Sequence, residues 1–354
     1  MKRRDFIKNS AIFGGALAFG GALNLQAQTN SKSNSVNSKA NPSKQNKGKN
    51  MKNQVWLITA ATGGFGYELA KFALEKGDSV VATSRTLAKL QSKFGKESDK
   101  FLPFELKFDE NMVANFDKLI EATKAKFGRI DNLVNNAGYG LLGIVEETSE
   151  KALREQFEVN VFAPFLLTKS ALKIMRPQAK AEGGNSENIV ARIFNLSSIG
   201  GFRTSGASTP YCMSKFAISA FSEGLNLDLN QFGIKAINVM PTGFRTEFLG
   251  ESLKADEGEI KDYDELRANT IAKFKEYNGK QPGNPAIFGP VMFEVSRQKM
   301  PPEYLFMGSS AFKNADLKIE AVQKDMKATR TLSGEAMDFA ENTGSAFDKP
   351  MGKK

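Results

Sequence analysis

Gln54-Val55-Trp56-Leu57-Ile58-Thr59-Ala60-Ala61-Thr62-Gly63-Gly64-Phe65-Gly66 decides the fold of this chain. The run Gln54–Thr59 is the continuous apolar stretch expected of a parallel strand buried on both faces. A glycine-rich turn follows. Tyr67–Lys76 then carries helical spacing that stops at Gly77, and Ser79–Thr83 reads as a second strand. This is a βαβ unit with a glycine-rich first turn, an arrangement that brings backbone amides and a helix N-terminus to a pyrophosphate. Taken alone, a tight strand-to-helix packing turn reads the same way.

Outward from that unit the alternation continues. Helices are predicted over 87–94, 112–127, 151–175 and 210–232, with strands over 101–108, 130–135, 188–196 and 234–240. Residues 249–278 and 286–297 read as mainly helical, 304–307 as a last strand and 314–327 as a helix. Repeated strand-helix alternation predicts an α/β fold, a Rossmann-like doubly wound parallel sheet in a single domain, with ligands at the carboxyl ends of the strands.

Ser208-Thr209-Pro210-Tyr211-Cys212-Met213-Ser214-Lys215 reads as a helix start, with Ser208 or Thr209 as cap and Pro210 in the first turn. Tyr211 and Lys215 are four apart and share one face. An ammonium beside a phenol favours phenolate, so the pair is expected to lower the Tyr211 pKa and make a proton donor and acceptor. An ordinary amphipathic helix with a chance Tyr/Lys pair has the same spacing. The chain has no histidine, which excludes a Ser-His-Asp triad and any histidine-ligated metal. In the helix over 151–175, Pro164 has no N–H to give the Asn160 carbonyl, so a distortion is expected there.

The formal net charge is +10, but residues 1–52 hold ten Lys or Arg against one Asp, leaving about +1 for the other 302 residues. The charge therefore belongs to the N-terminal segment, and a folded nucleic-acid-binding surface is not supported. A single cysteine, Cys212, rules out an intrachain disulfide and a cysteine-built metal site, so no metal is expected. Residues 1–27 have a basic start and a short apolar, glycine-rich run, the layout of an export signal; it is too short for a good membrane span. Arg3-Arg4-Asp5-Phe6-Ile7-Lys8 resembles the twin-arginine motif, which implies export to the periplasm as a folded protein. An uncleaved membrane anchor is the alternative. Residues 28–52, rich in Ser, Asn, Lys and Gln, read as a disordered linker, 53–330 as the catalytic domain and 331–354 as a flexible tail.

Several motifs in order resemble the short-chain dehydrogenase/reductase family over roughly residues 54–330. They are Thr59-Ala60-Ala61-Thr62-Gly63-Gly64-Phe65-Gly66, Asn135-Asn136-Ala137-Gly138, Asn160, Asn195-Leu196-Ser197-Ser198, Tyr211 with Lys215, and Pro241 with Thr246. The resemblance implies hydride transfer between a nicotinamide cofactor and a carbonyl or alcohol. It implies Asn160, Ser198, Tyr211 and Lys215 as the catalytic set. Ser198 would bond the substrate oxygen, Tyr211 move its proton, Lys215 assist Tyr211, and Asn160 serve a proton relay. Ser197 is expected to be structural. The implied cofactor contacts are Thr59, Gly63, Phe65, Gly66, Arg85, Asp109, Asn136, Ala137, Gly138, Tyr211, Lys215, Pro241 and Thr246.

The second strand ends in Ala82-Thr83-Ser84-Arg85, with no acid for a ribose 2′-hydroxyl and an arginine able to pair with a 2′-phosphate. NADP is therefore favoured over NAD. Two departures from the family pattern stand out: Ala60 replaces the first glycine of the turn, and Pro241-Thr242-Gly243 replaces Pro-Gly. Residues 244–282 are expected to form a lid, with Phe244, Phe248, Leu249 and Tyr263 making it apolar. Tyr139, Leu141, Leu142, Phe202 and Cys212 are expected near the mouth, or in the core. A small, apolar carbonyl or alcohol is the expected substrate, and a homo-oligomer follows by analogy. A lyase or epimerase on the same fold, or a non-catalytic dinucleotide-binding protein, are the alternatives.

Overall fold

The computed structural model describes residues 53–250, 252–255, 258–334 and Met337; the expected signal and linker, and nearly all of the expected tail, lie outside these residues. Seven parallel strands form the main sheet. In chain order they are β1 (Val55–Ile58), β2 (Ser79–Ser84), β3 (Phe101–Glu105), β4 (Asn132–Asn135), β6 (Ala191–Leu196), β7 (Ile234–Pro241) and β9 (Tyr304–Met307). A second, two-stranded sheet pairs β5 (Gly140–Leu142) with β8 (Leu253–Ala255). The helices are α1 (Gly64–Glu75), α2 (Leu87–Phe94), α3 (Met112–Phe127), α4 (Glu150–Phe157), α5 (Ala163–Ala181), α6 (Thr209–Leu229), α7 (Asp264–Tyr277), α8 (Phe288–Arg297) and α9 (Ser309–Ser333).

The spatial order is β3-β2-β1-β4-β6-β7-β9, so the direction of winding reverses between β1 and β4. At such a switch point the connections leave in opposite directions and open a crevice beyond the strand ends. Side-chain alternation along buried strands feeds two cores. Leu57, Val81 and Leu133 pack with Phe116 and Leu119 of α3 and with Leu167 and Ala171 of α5. Trp56, Ile58 and Val134 face the other way, against Leu69 and Ala73 of α1 and Phe288 and Met292 of α8. At the opposite end of the strands from the crevice, buried Asp78 accepts the Trp56 indole N–H at 2.7 Å, and buried Asp131 accepts the Val55 amide at 2.7 Å. Both aspartates also pair with arginine, Arg297 and Arg129 respectively.

Three segments depart from the sequence reading. Helix α1 starts at Gly64, inside the glycine turn, and Gly64 takes a φ of +52° there without a Cβ to oppose it. The stretch expected to be helical over 249–278 instead contains β8, and its helix α7 begins only at Asp264. β5 leaves an open edge, and residues 253–255 satisfy it in register, Gly140 opposite Leu253 and Leu142 opposite Ala255. Backbone pairing there outweighs a local helical pattern. Finally, the predicted helix over 151–175 is divided: a π-helical segment, Glu158–Phe162, separates α4 from α5. The Ala163 amide reaches back five residues to the Glu158 carbonyl, and Pro164 lies in the first turn of α5. Among the described residues, no helix is long and apolar enough to cross a membrane.

Candidate active site

One buried hydroxyl ties together the two segments that border the crevice. Thr59, buried at the end of β1, donates to the Val134 carbonyl and accepts from the amides of Asn136 and Ala137, both at 2.9 Å. A hydroxyl has one donor and two acceptor positions, so all three are used. Thr59 thus ties the glycine turn to the Asn135–Gly138 segment. Asn136 completes the tie, donating Nδ2 to the Thr59 and Ala60 carbonyls at 2.9 and 3.2 Å.

The turn itself has the conformation that its glycines suggest, including at the alanine. Ala60 sits at φ +54°, in the left-handed region. Gly66 is required by packing: a methyl there would lie 2.6 Å from both the Ala60 oxygen and Asn136 Nδ2. Gly63 has open space where a Cβ would be, leaving the backbone bare before the N-terminus of α1. Phe65 turns away from this bare edge; its ring stacks on Phe288 at 4.2 Å and meets Phe244 edge-on at 5.0 Å. The Ala61 amide bonds the Thr83 carbonyl at 2.9 Å, which sets the end of β2 beside the turn. Arg85 is exposed just beyond, and Asp109 accepts from the Asn111 amide and Asn115 Nδ2 to close the loop after β3.

Across the crevice, Asn160 lies in the π segment and is buried. Its Oδ1 accepts from the Tyr139 amide at 3.1 Å, and its Nδ2 donates to the Tyr139 carbonyl at 3.0 Å and to Ser214 Oγ at 3.1 Å. Gln156, one turn earlier, also donates to the Tyr139 carbonyl at 3.0 Å. Neither Ser214 nor Gln156 was singled out in the sequence. The i−4 spacing from Asn160 could have flagged Gln156, whereas the Ser214 contact is purely tertiary.

Ser198 follows β6 and caps a short 3-10 turn, its Oγ accepting from the Gly200 amide at 3.0 Å. Ser197 is structural as expected: buried, it donates to the Lys215 carbonyl at 2.9 Å. Tyr211 and Lys215 project from the first turns of α6, with Lys215 Nζ 5.8 Å from the Tyr211 ring centre. Ser208 stands at the N-cap position, but its hydroxyl bonds the Ser205 carbonyl instead. Two glycines report the convergence of the site. A methyl on Gly138 would lie 3.1 Å from Asn160 Oδ1 and 3.5 Å from Lys215 Nζ; one on Gly200 would lie 3.4 Å from Ser198 Oγ, Cys212 Sγ and Tyr211 Cε1. The four expected catalytic side chains thus meet at one end of the sheet.

The electrostatics differ from the sequence expectation. Burial pushes the Tyr211 phenol well above the ordinary tyrosine range, and a hydrogen bond with Ser198 pulls back only in part. Lys215 is itself buried, donates to the Leu196 carbonyl at 2.6 Å, and has its pKa lowered to about 8 by burial. Desolvation disfavours phenolate more than the Ser198 hydrogen bond favours it. Tyr211 is therefore held protonated at neutral pH.

The chain after β7 covers this edge. Pro241 ends β7, buried opposite Met307 of β9. Thr246 sits over the glycine turn, 3.6 Å from where a Gly64 methyl would be. Phe248 lies against the Tyr211 ring, 5.8 Å between centres, and with Leu253 closes over Gly140. Both ends of this lid meet at a neck: the Gly283 amide bonds the Gly243 carbonyl and the Arg245 amide bonds the Gly283 carbonyl, each at 3.0 Å. The Tyr277 hydroxyl of α7 occupies the space a Gly243 side chain would need. Arg267 of α7 pairs with Glu147 after β5, anchoring the far side. Leu141, Leu142 and Cys212 are buried beside the site. Two expected lining residues are elsewhere: Tyr263 bonds Glu146 on the exposed side, and Phe202 packs on Phe306 near α9.

The sequence matches the family model described as short chain dehydrogenase over residues 54–257. Oxidoreductase BOA17 of Botryotinia fuckeliana is 31% identical over 290 residues, covering 79% of this chain and 98% of that protein. The 3-ketodihydrosphingosine reductase of Bacteroides thetaiotaomicron is 32% identical over 255 residues, covering 71% and 87%. A short-chain dehydrogenase structure from Streptomyces avermitilis superposes with a TM-score of 0.71 at 29% identity, covering 82% of this chain and all of that one. On the fold, the crevice and these matches together, this chain belongs to the short-chain dehydrogenase/reductase family, oxidoreductases acting on CH–OH or C=O groups with NAD(P).

Proposed function

We propose that the chain is an NADP(H)-dependent oxidoreductase that interconverts a small apolar carbonyl and its alcohol. The observation that carries the reading is the convergence of Tyr211, Ser198, Lys215 and Asn160 beneath Phe248. The crevice suits a dinucleotide. Gly63 leaves bare backbone before the first amides of α1, and the exposed Arg85 follows the end of β2, which the Ala61 amide ties to the turn. Gly138 lies beside Lys215, and Thr246 lies over Gly64. Bound there, NADP(H) supplies or accepts the hydride.

The chain's own residues handle the oxygen and its proton. Ser198 and Tyr211 both direct a hydroxyl to the substrate oxygen. In reduction Tyr211 gives its proton to the developing alkoxide, and in oxidation it takes one. Lys215 stabilises the phenolate left behind. Asn160 fixes the backbone at Tyr139 and, through Ser214, the first turn of α6. Phe248 and Leu253 shield the site from water and favour an apolar substrate.

Export by a twin-arginine signal in residues 1–27, followed by residence in the periplasm with cofactor loaded beforehand, belongs to the same proposal, as does association of copies. Tyr211→Phe tests the chemistry. Turnover of carbonyl substrates should fall by about 10²–10⁴-fold while NADP(H) binding, followed by fluorescence, is kept. Turnover similar to the wild type would remove Tyr211 as proton donor.

A further inference from the structure

Helix α7 buries none of its residues, so apolar packing does not fix where the lid sits. Its place depends on polar ties, and these converge on the turn after β5. Glu147 stands in that turn with only 5% of its side chain exposed. It receives the Arg267 guanidinium from α7 and the Ile260 amide at 2.9 Å. Arg267 reaches on to the Ile260 carbonyl at 3.2 Å, so one arginine binds both the carboxylate and the approach to α7. Gly258 passes so close that the Glu147 carboxylate fills the space a side chain would need. Beside it, Glu146 accepts the Tyr263 hydroxyl at 2.9 Å. The ties are unequal. The Lys254–Glu155 pair is 59% and 49% exposed and contributes little, whereas the Arg267–Glu147 pair is 19% and 5% exposed. A charge-assisted bond that dry is costly to leave half made.

The turn that carries Glu147 is itself fixed to the start of α6. The Glu147 and Thr148 amides close it on the Ile144 carbonyl at 3.0 and 2.8 Å. Just ahead, the Gly143 amide bonds the Ala207 carbonyl at 3.0 Å. A methyl on Gly143 would lie 3.6 Å from Pro210 Cγ, in the first turn of α6. Ala207 is not a glycine, yet it sits at φ +52°, a strained conformation for an L-residue. Such strain persists only where the surroundings hold it. Ala207 leads directly into Ser208 and the helix that bears Tyr211. We infer that Glu147 is a positioning residue: it clasps the closed lid and registers it against the start of α6, so that Phe248 comes to rest on Tyr211. This deepens the proposed function and rests on it, because the clasp affects KM only where substrate lies between the lid and Tyr211.

Hydrogen exchange and steady-state kinetics on the full chain test it together, the kinetics with the best-used member of a panel of apolar ketones and aldehydes. Glu147→Gln removes the charge but keeps an acceptor for Ile260, and Arg267→Met removes the partner. Each should raise KM by about tenfold to a hundredfold, with kcat changed far less and NADP(H) affinity kept. The α7 amides should exchange faster, and those of β1 and β6 should not. The combined variant should be no worse than the worse single one. Arg267→Lys should recover part of the loss, and Tyr263→Phe, which gives up only an exposed bond, should stay near the wild type. Arg267 is partly exposed, so its variants carry the test even where Glu147→Gln folds poorly. An unchanged α7 exchange in Arg267→Met, faster exchange without a rise in KM, or additive effects of the two substitutions would overturn the inference. Tyr211→Phe should leave α7 exchange as in the wild type. Should it keep full turnover, or no member of the panel be used, the proposed chemistry fails, and exchange in Arg267→Met still decides whether Glu147 clasps the lid.

Discussion

Ala60→Gly should stabilise the protein, an unusual sign for a glycine substitution. Ala60 is exposed at φ +54°, where its Cβ crowds the following carbonyl. The left-handed conformation costs an L-residue about 1–2 kcal/mol. Replacement by glycine removes that cost and loses no buried contact, but frees the unfolded chain at about 0.4–1 kcal/mol. The net gain is about 0.5–1 kcal/mol, or roughly 1–3 °C in unfolding midpoint for a domain of this size. Gly64 supplies the mirror experiment. It has φ +52° and its nearest neighbour is Thr246 Cβ at 3.6 Å, so Gly64→Ala has room for the methyl and suffers only the backbone cost. It should destabilise by the amount that Ala60→Gly gains. Urea unfolding followed by tryptophan fluorescence reads both, since Trp56 is fully buried in β1. A midpoint lowered by Ala60→Gly, or the same sign for both variants, would refute the reasoning.

Three further expectations concern the site. Burial lowers the Lys215 pKa from 10.5 to about 8, so between those values the unfolded chain holds a proton that the folded chain does not. Stability from this residue therefore rises with pH in that window. Wild type should gain on Lys215→Met from pH 8 upward and show a constant difference below it, in denaturant titrations across pH. Arg85→Ala should weaken NADPH more than NADH, by about tenfold for one lost charge-assisted contact; equal weakening of both, measured by fluorescence titration, would remove Arg85 as the 2′-phosphate partner. Gly243→Ala must displace the Tyr277 hydroxyl, at about 1–3 kcal/mol of overpacking; KM should rise with dinucleotide affinity unchanged, and a normal KM would show that α7 does not order the lid.

The alternation of strands and helices was legible because parallel strands such as Val55–Ile58 and Ala191–Leu196 are buried at every position and therefore read as unbroken runs. β5 and β8 were not, because each is three residues long and held by backbone pairing, which leaves no side-chain period. Helix α7 buries none of its residues, so no apolar stripe marked its start. Within the site, the four-residue spacing of Tyr211 and Lys215 and the missing N–H of Pro164 both announced local geometry that the structure contains. The direction of the Tyr211 shift did not follow from spacing. It depends on how dry the phenol is, and residues distant in sequence, including Phe248, decide that. Ala60 is the converse case: the cost of its conformation was readable from a single missing glycine.

The neck between Gly243 and Gly283 makes the lid a detachable cassette. Its two ends are joined to each other by backbone bonds, so the loop is closed at its base independently of what its outer part touches. Sequence drift in α7, which buries none of its residues, can then reshape the outer lid while Thr246 and Phe248, next to the neck, keep their contacts with the glycine turn and Tyr211. Variation of what is admitted then falls to the outer stretch of the lid, and the residues beside its neck stay tied to the crevice.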